Sequence, residues 1–264
     1  MNWLAGVPDD DEEHFTATAF LNYHLASRGL KVADLAVRPS VVVAFQPYTY
    51  RHLVQAAHGE EVEAWSALNR FPLAQGTFDG VPLSIAQLPV GAPAAVMYLE
   101  HLAFGGAKTV IAVGSAGSLQ EYAPLGAAVL PLSALREEGT SHHYQPAAVE
   151  ALPDPDCVAS LRTACAARGV LAHEGQVWTT DAPYRELTSK VRRLAAGGVV
   201  AVDMEASALF IVGAMRALRV GSLFVISDEL FHPWAPGFFD RRFREAGNRL
   251  AECALAAAAA LTKG

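Results

Sequence analysis

Short apolar runs alternate with helical patterns along most of the chain, and this alternation restricts the fold more than any other feature. The runs at 41–45, 83–88, 109–113, 127–130, 199–202 and 223–226 lack strict polar alternation, as strands covered on both faces do. Between them, 93–104, 158–167, 205–218 and 238–260 carry apolar residues at helical spacing. Val96 and Leu99 share one face with Ala103 and Phe104, and Leu209, Val212 and Met215 share another. Strand and helix in turn predict an α/β protein: a three-layer αβα domain with a central mixed β-sheet. Of the 264 residues, 52% are hydrophobic and 18% charged, which supplies a large core and argues against disorder. Residues 1–13 read as a flexible acidic leader and 14–264 as a single domain, with no composition shift or internal repeat. The proline-bearing stretch 150–156 reads as a loop.

The formal net charge of -7 argues against broad binding to nucleic acid or acidic membranes, while leaving room for a local basic pocket. Cys157, Cys165 and Cys253 are scattered and form neither a disulfide framework nor a zinc-type CxxC pattern, so a cytoplasmic location is expected. The start, Met1-Asn2-Trp3 followed by acids, is unlike a signal peptide, and no apolar stretch reaches membrane-spanning length. His142 and His143 are adjacent, but no third ligand accompanies them, so no metal site is expected.

Ligands of α/β sheets gather beyond the carboxyl ends of strands, and three such ends carry chemistry. The run 109–113 leads into small residues around Gly114, Ser115 and Gly117, whose N–H groups can turn toward an anion; an ordinary tight turn reads the same way. At Val202, Asp203, Met204 and Glu205 a strand passes into a helix. A carboxylate there can accept from two neighbouring hydroxyls, and methionine offers a soft apolar surface; acids at a helix start also simply favour its dipole. The run 223–226 delivers Asp228, which when partly desolvated can pass a proton to a leaving group, or can cap a following helix.

Together, GSAGSL at 114–119, VDMEASALF at 202–210 and VISDEL at 225–230 resemble the purine nucleoside and uridine phosphorylase family. EGTSHHY at 138–144 and VWTTDAPYR at 177–185 resemble it too, and the likeness spans roughly 76–260. The resemblance implies that Glu205 holds ribose hydroxyls, that Met204 packs on sugar and base, and that Asp203, shorter in reach than the glutamate often found there, belongs with them among the nucleoside-binding residues. It implies Thr180 and Val202 in the base pocket, Asp228 as the acid at the base with Arg241 assisting, and Ser115 with the Gly114 backbone at the phosphate. It also implies a homo-oligomer, dimer or hexamer, with nucleoside and phosphate as partners and no cofactor beyond inorganic phosphate as co-substrate.

The pattern departs at the anion. Phe45 and Thr49 stand where the family has the Gly and Arg of a Gly-Asp-Pro-x-Arg turn, and Ala112 replaces a second arginine. A third, lent by a neighbouring subunit, corresponds to Arg70. Each charge-assisted contact is worth about 1.5–3 kcal/mol, so two losses weaken phosphate by about two orders of magnitude or more. Hydrolytic relatives of the same fold also lack these arginines, whereas the 138–144 and 177–185 stretches favour the phosphorylase branch. Phosphorolysis of a purine nucleoside or uridine to free base and (deoxy)ribose 1-phosphate is expected; a nucleosidase using water and a non-catalytic nucleoside-binding homologue are the alternatives. Asp228 suits a purine, while Pro183 occupies a position where purine enzymes place an aromatic ring. Trp178 or Tyr184 could stack on the base, with core packing the commoner fate for Trp178.

Overall fold

The computed structural model describes residues 12–263. Its first half comprises α1 (Ala17–Ala26), β1 (Ser40–Ala44), α2 (Pro47–Ala56), β2 (Glu60–Glu61), α3 (Glu63–Ser66), β3 (Leu73–Phe78), β4 (Val81–Gln87), α4 (Ala92–Gly105) and β5 (Thr109–Ser118). Then follow β6 (Ala128–Arg136), α5 (Ser141–Tyr144), α6 (Pro155–Ala167), β7 (Ala172–Thr179), α7 (Thr188–Ala196), β8 (Ala201–Asp203), α8 (Ala206–Met215), β9 (Arg219–Glu229), β10 (Ala235–Pro236) and α9 (Arg241–Lys263).

The strands form one mixed sheet in the order β10-β9-β6-β7-β8-β5-β1-β4-β3-β2, and β9 also pairs with β5. That extra pairing closes β5, β9, β6, β7 and β8 into a ring, from which the other strands extend. Side chains of a strand alternate between faces, and here each face meets its own helix layer. Val41, Val43, Val110 and Ala112 join a core with Leu99 of α4 and Leu209 of α8. Val42, Ala44, Ile111 and Val113 join a second core with Leu53 of α2, Leu161 of α6 and Leu250 of α9. Both faces being dry explains the apolar runs, and the expected three-layer αβα arrangement is the one observed.

The small-residue segment after 113 is not a loop. β5 runs on through Ser118, paired in parallel with β9 over its whole length, so the ladder takes up backbone groups that an anion-binding turn would leave free. The register shifts between Ala116 and Gly117, which sets Gly117 opposite Asp228. Small residues serve packing here: a Cβ on Gly117 would lie 2.5 Å from Leu230 Cδ1, and one on Gly114 would lie 3.1 Å from the Phe224 ring. The stretch read as a loop at 150–156 ends as the start of α6, where Asp154 accepts from the Cys157 N–H and Pro155 takes the first helical position. The leader expected at 1–13 falls mostly on residues outside those described; within it, Glu13 pairs with Arg216 at 2.5 Å. No helix among the described residues is long and apolar enough to cross a membrane.

Candidate active site

The carboxyl ends of β5 and β9 and the β8–α8 turn open onto a cavity of about 620 Å³. Ser115, Val202, Asp203, Met204, Glu205 and Asp228 all line it, so residues far apart in sequence meet in one cleft. Its volume falls within the range of small-molecule sites.

Asp203 is the keystone of the turn. Thr179 Oγ1 donates to its Oδ1 at 2.6 Å, and the N–H groups of Glu205 and Ala206 donate to its Oδ2 at 2.9 and 2.6 Å. The carboxylate therefore satisfies the first turn of α8 and fixes the path of Met204 and Glu205. Burial raises its pKa, against the pull of those three donors. Beneath it, the buried Glu138 accepts from Ser207 Oγ at 2.9 Å and from the Ser141 N–H at 2.9 Å. The Ser207 N–H in turn donates to Thr179 Oγ1 at 3.1 Å. The 138–144 motif thus braces the turn from below rather than facing the cavity.

Glu205 aims a carboxyl group into the cleft, with Oε1 held by the Gly91 N–H at 2.6 Å. Burial first, and the neighbouring Asp203 second, push it up to about 8, against the pull of the Gly91 and Met204 N–H groups. Asp228 lines the same cavity from the end of β9, opposite Gly117 of β5. Ser227 Oγ donates to its Oδ1 at 2.7 Å and Trp234 Nε1 to its Oδ2 at 2.9 Å, which fixes the carboxyl plane. At the remaining side, Gln46 Nε2 donates to Ser115 Oγ at 2.7 Å, and Phe45 and Val90 complete the wall. The mouth carries Pro183, Tyr184, Trp234 and Phe238.

Four expected residues sit elsewhere. Arg241 does not back Asp228: it opens α9 on the surface, 86% exposed, and pairs with Glu245 one turn on at 2.7 Å. Thr180 is buried behind the turn, its N–H on the Asp203 carbonyl at 3.0 Å. Gly114 is packed between Phe45 and Phe224 instead of lining the cleft. Arg70 is exposed and outside the cleft of its own chain, its backbone N–H on Tyr98 Oη at 2.9 Å. Positions 49 and 112, where the family pattern has arginines, hold a buried threonine and a buried alanine. Trp178 is a core residue, donating to Glu137 Oε2 at 2.6 Å beneath the Lys190 ammonium.

Sequence reading missed Gln46, Gly91, Glu186, Leu230, Trp234 and Phe238. Gln46 lies inside the degraded Gly-Asp-Pro-x-Arg segment and Leu230 inside VISDEL, which are the available signals. Gly91 acts through Glu205, and Glu186, Trp234 and Phe238 reach the cleft through chain reversals that no local pattern announces.

A mixed α/β sheet with carboxylates, a methionine and a hydroxyl converging on a cleft of this size is the arrangement of an enzyme that acts on a small molecule. Residues 40–261 match the Phosphorylase superfamily, and the chain belongs to that family. It is 32% identical over 217 residues to a uridine phosphorylase of Treponema pallidum (strain Nichols), covering 77% of this chain and 81% of the relative. It is 30% identical over 165 residues to a guanosine phosphorylase of Halorubrum lacusprofundi, covering 62% of this chain and 68% of the relative. A uridine phosphorylase structure from Vibrio fischeri ES114 superposes with a TM-score of 0.77 at 27% identity, covering 86% of this chain and 94% of that one. A purine nucleoside phosphorylase from Toxoplasma gondii, in complex with immucillin-H, shares the fold with a TM-score of 0.81 at 21% identity, covering 89% and 94%.

Proposed function

We propose that this chain is a nucleoside phosphorylase, a pentosyltransferase that cleaves the N-glycosidic bond of a purine nucleoside or uridine with phosphate. The observation that carries this reading is the convergence of Ser115, Met204, Glu205 and Asp228 on one cavity. Glu205 accepts the ribose hydroxyls, whose donation favours its ionised form, and Met204 covers the sugar face. Asp228 hydrogen-bonds the base and eases charge onto it as the bond to the sugar lengthens. Trp234 takes the supporting place expected of Arg241. Ser115, oriented by Gln46, holds the attacking acceptor, and fixing both reactants in one cleft supplies the entropic part of catalysis. The residues 14–264 act as one domain without a cofactor, in the cytoplasm, as a dimer or hexamer in which Arg70 serves a neighbouring subunit's phosphate.

One observation favours water as a second acceptor. Among the described residues lining the cavity there is no lysine, arginine or histidine, while Asp203, Glu205, Asp228 and Glu186 all line it. A phosphate dianion gains nothing from that field, whereas water is indifferent to it. Incubation with inosine, guanosine and uridine, with and without phosphate, separates the two. Phosphate-dependent release of base with pentose 1-phosphate supports phosphorolysis; equal release in phosphate-free buffer overturns it in favour of hydrolysis. Ligand-induced thermal stabilisation without product would leave a binding protein.

A further inference from the structure

Away from the cleft, the connection between α3 and β3 is anchored from both sides by buried side chains, and it carries Arg70 at its tip. Tyr98 of α4 is buried, and its Oη accepts from the N–H of Arg70 at 2.9 Å and from the N–H of Phe71 at 3.2 Å. The Tyr98 and Phe71 rings meet edge-on with centroids 5.5 Å apart. Trp65 of α3 donates from Nε1 to the Phe71 carbonyl at 2.9 Å. On the other side of Arg70, Asn69 Nδ2 donates to the Trp65 carbonyl at 3.3 Å, which leaves Asn69 Oδ1 to accept from His101 Nδ1 at 2.7 Å. His101 therefore carries its proton on Nδ1. Burial against the Phe20 and Tyr98 rings pushes its pKa down to about 4, so the ring stays neutral and keeps that donor.

Surface connections are ordinarily mobile, and those that carry function are positioned by a rigid scaffold. Here the backbone is fixed before and after a residue whose own side chain stays in solvent. Among the described residues, the only hydrogen bond of Arg70 is made by its backbone. Apolar contacts alone would pack the connection. A hydroxyl that takes two successive N–H groups, and an Asn–His pair beside it, also fix its position and direction. A charge rooted in this way loses less freedom when an anion arrives. The same helix reaches the chemistry: α4 starts after Gly91, whose N–H holds Glu205, and Tyr98 and His101 follow about two and three turns on.

We propose that Tyr98 and His101 are positioning residues for phosphate: they hold the 69–71 connection so that Arg70 is presented, from a fixed root, to the cleft of a second copy of this chain. The inference rests on the phosphorolytic reading and on the place given there to Arg70. It accounts for a cleft whose described lining holds no lysine, arginine or histidine.

The test is steady-state kinetics, with phosphate and nucleoside varied separately, on wild type, Tyr98→Phe, His101→Phe, His101→Asn and Arg70→Ala. Tyr98→Phe keeps the ring and removes the acceptor, and His101→Asn returns a donor near the place of Nδ1. Tyr98→Phe and His101→Phe are each expected to raise the KM of phosphate by about five- to tenfold, the worth of one hydrogen bond. Nucleoside KM and kcat stay close to wild type, and His101→Asn recovers most of the loss. In the Arg70→Ala background neither substitution raises phosphate KM further, an epistasis that general destabilisation would not produce. Where Tyr98→Phe does not fold, the two His101 variants decide alone. Equal changes in both KM values, or effects that persist undiminished in Arg70→Ala, overturn the inference and leave phosphorolysis intact. A wild type that releases base equally well without phosphate overturns the phosphorolytic reading and the inference with it.

Discussion

The indole N–H of Trp234 donates to Asp228 Oδ2 at 2.9 Å, so a neutral donor fixes the carboxyl group for which the sequence suggested a guanidinium. Trp234 is 62% exposed, hence its packing contributes little to stability. Trp234→Phe keeps the ring and removes the donor. It is expected to lower kcat by about tenfold, in line with a hydrogen bond to a charged group, with an unchanged melting temperature. Steady-state kinetics and calorimetric scans check both halves; full activity in the variant would dismiss the indole as a positioning residue.

Gln46 and Ser115 form one unit, Nε2 to Oγ at 2.7 Å. Ser115→Ala and Gln46→Ala are each expected to raise the KM of the acceptor several-fold, and the double variant no further than the more damaging single one. Residues that share a hydrogen bond couple by about 0.5–3 kcal/mol. A double-mutant cycle on phosphate KM measures the coupling, and strict additivity contradicts a shared role.

Glu138 is the acceptor for Ser207 Oγ and the Ser141 N–H, both buried. Glu138→Ala strands two donors, at about 1–3 kcal/mol each. The expected loss is about 2–5 kcal/mol, or very roughly 5–20 °C in Tm for a chain of this size. Nucleoside KM should rise as well, because the bracing under Asp203 goes. A thermal melt within a degree of the wild type would remove the motif's structural role.

Glu205 gives stability a pH dependence in the ligand-free protein. Its folded pKa is raised from 4.5 to about 8, so between those values the native state holds a proton that the unfolded chain has released. Stability is therefore highest below the unfolded value and falls as pH rises through the folded one. Asp203 and Glu186, also raised, add in the same direction. Urea denaturation from pH 5 to pH 8 should show a falling midpoint, and Glu205→Gln should flatten the slope. The same variant should lose at least about a hundredfold in kcat/KM, since an amide accepts less strongly from two ribose hydroxyls.

Sequence alone determined the layered α/β architecture, because strands covered on both faces and helices with one dry face leave periodic marks within single segments. Val41 to Ala44 illustrates this: alternate residues enter the two cores on opposite faces of the sheet. It also determined the order of the site-bearing segments, since Ser115, Met204, Glu205 and Asp228 belong to local motifs. Only the tertiary structure decided what those motifs do to one another. The pairing of β5 with β9 turned an expected glycine loop into strand, set Gly117 against Asp228, and closed the ring. The tertiary structure also sets Arg241 on the surface and brings Glu186, Trp234 and Gln46 to the cleft. Hydrogen-bond partners separated by tens of residues depend on strand register and chain reversal, and neither is encoded in the spacing of residues along a single segment.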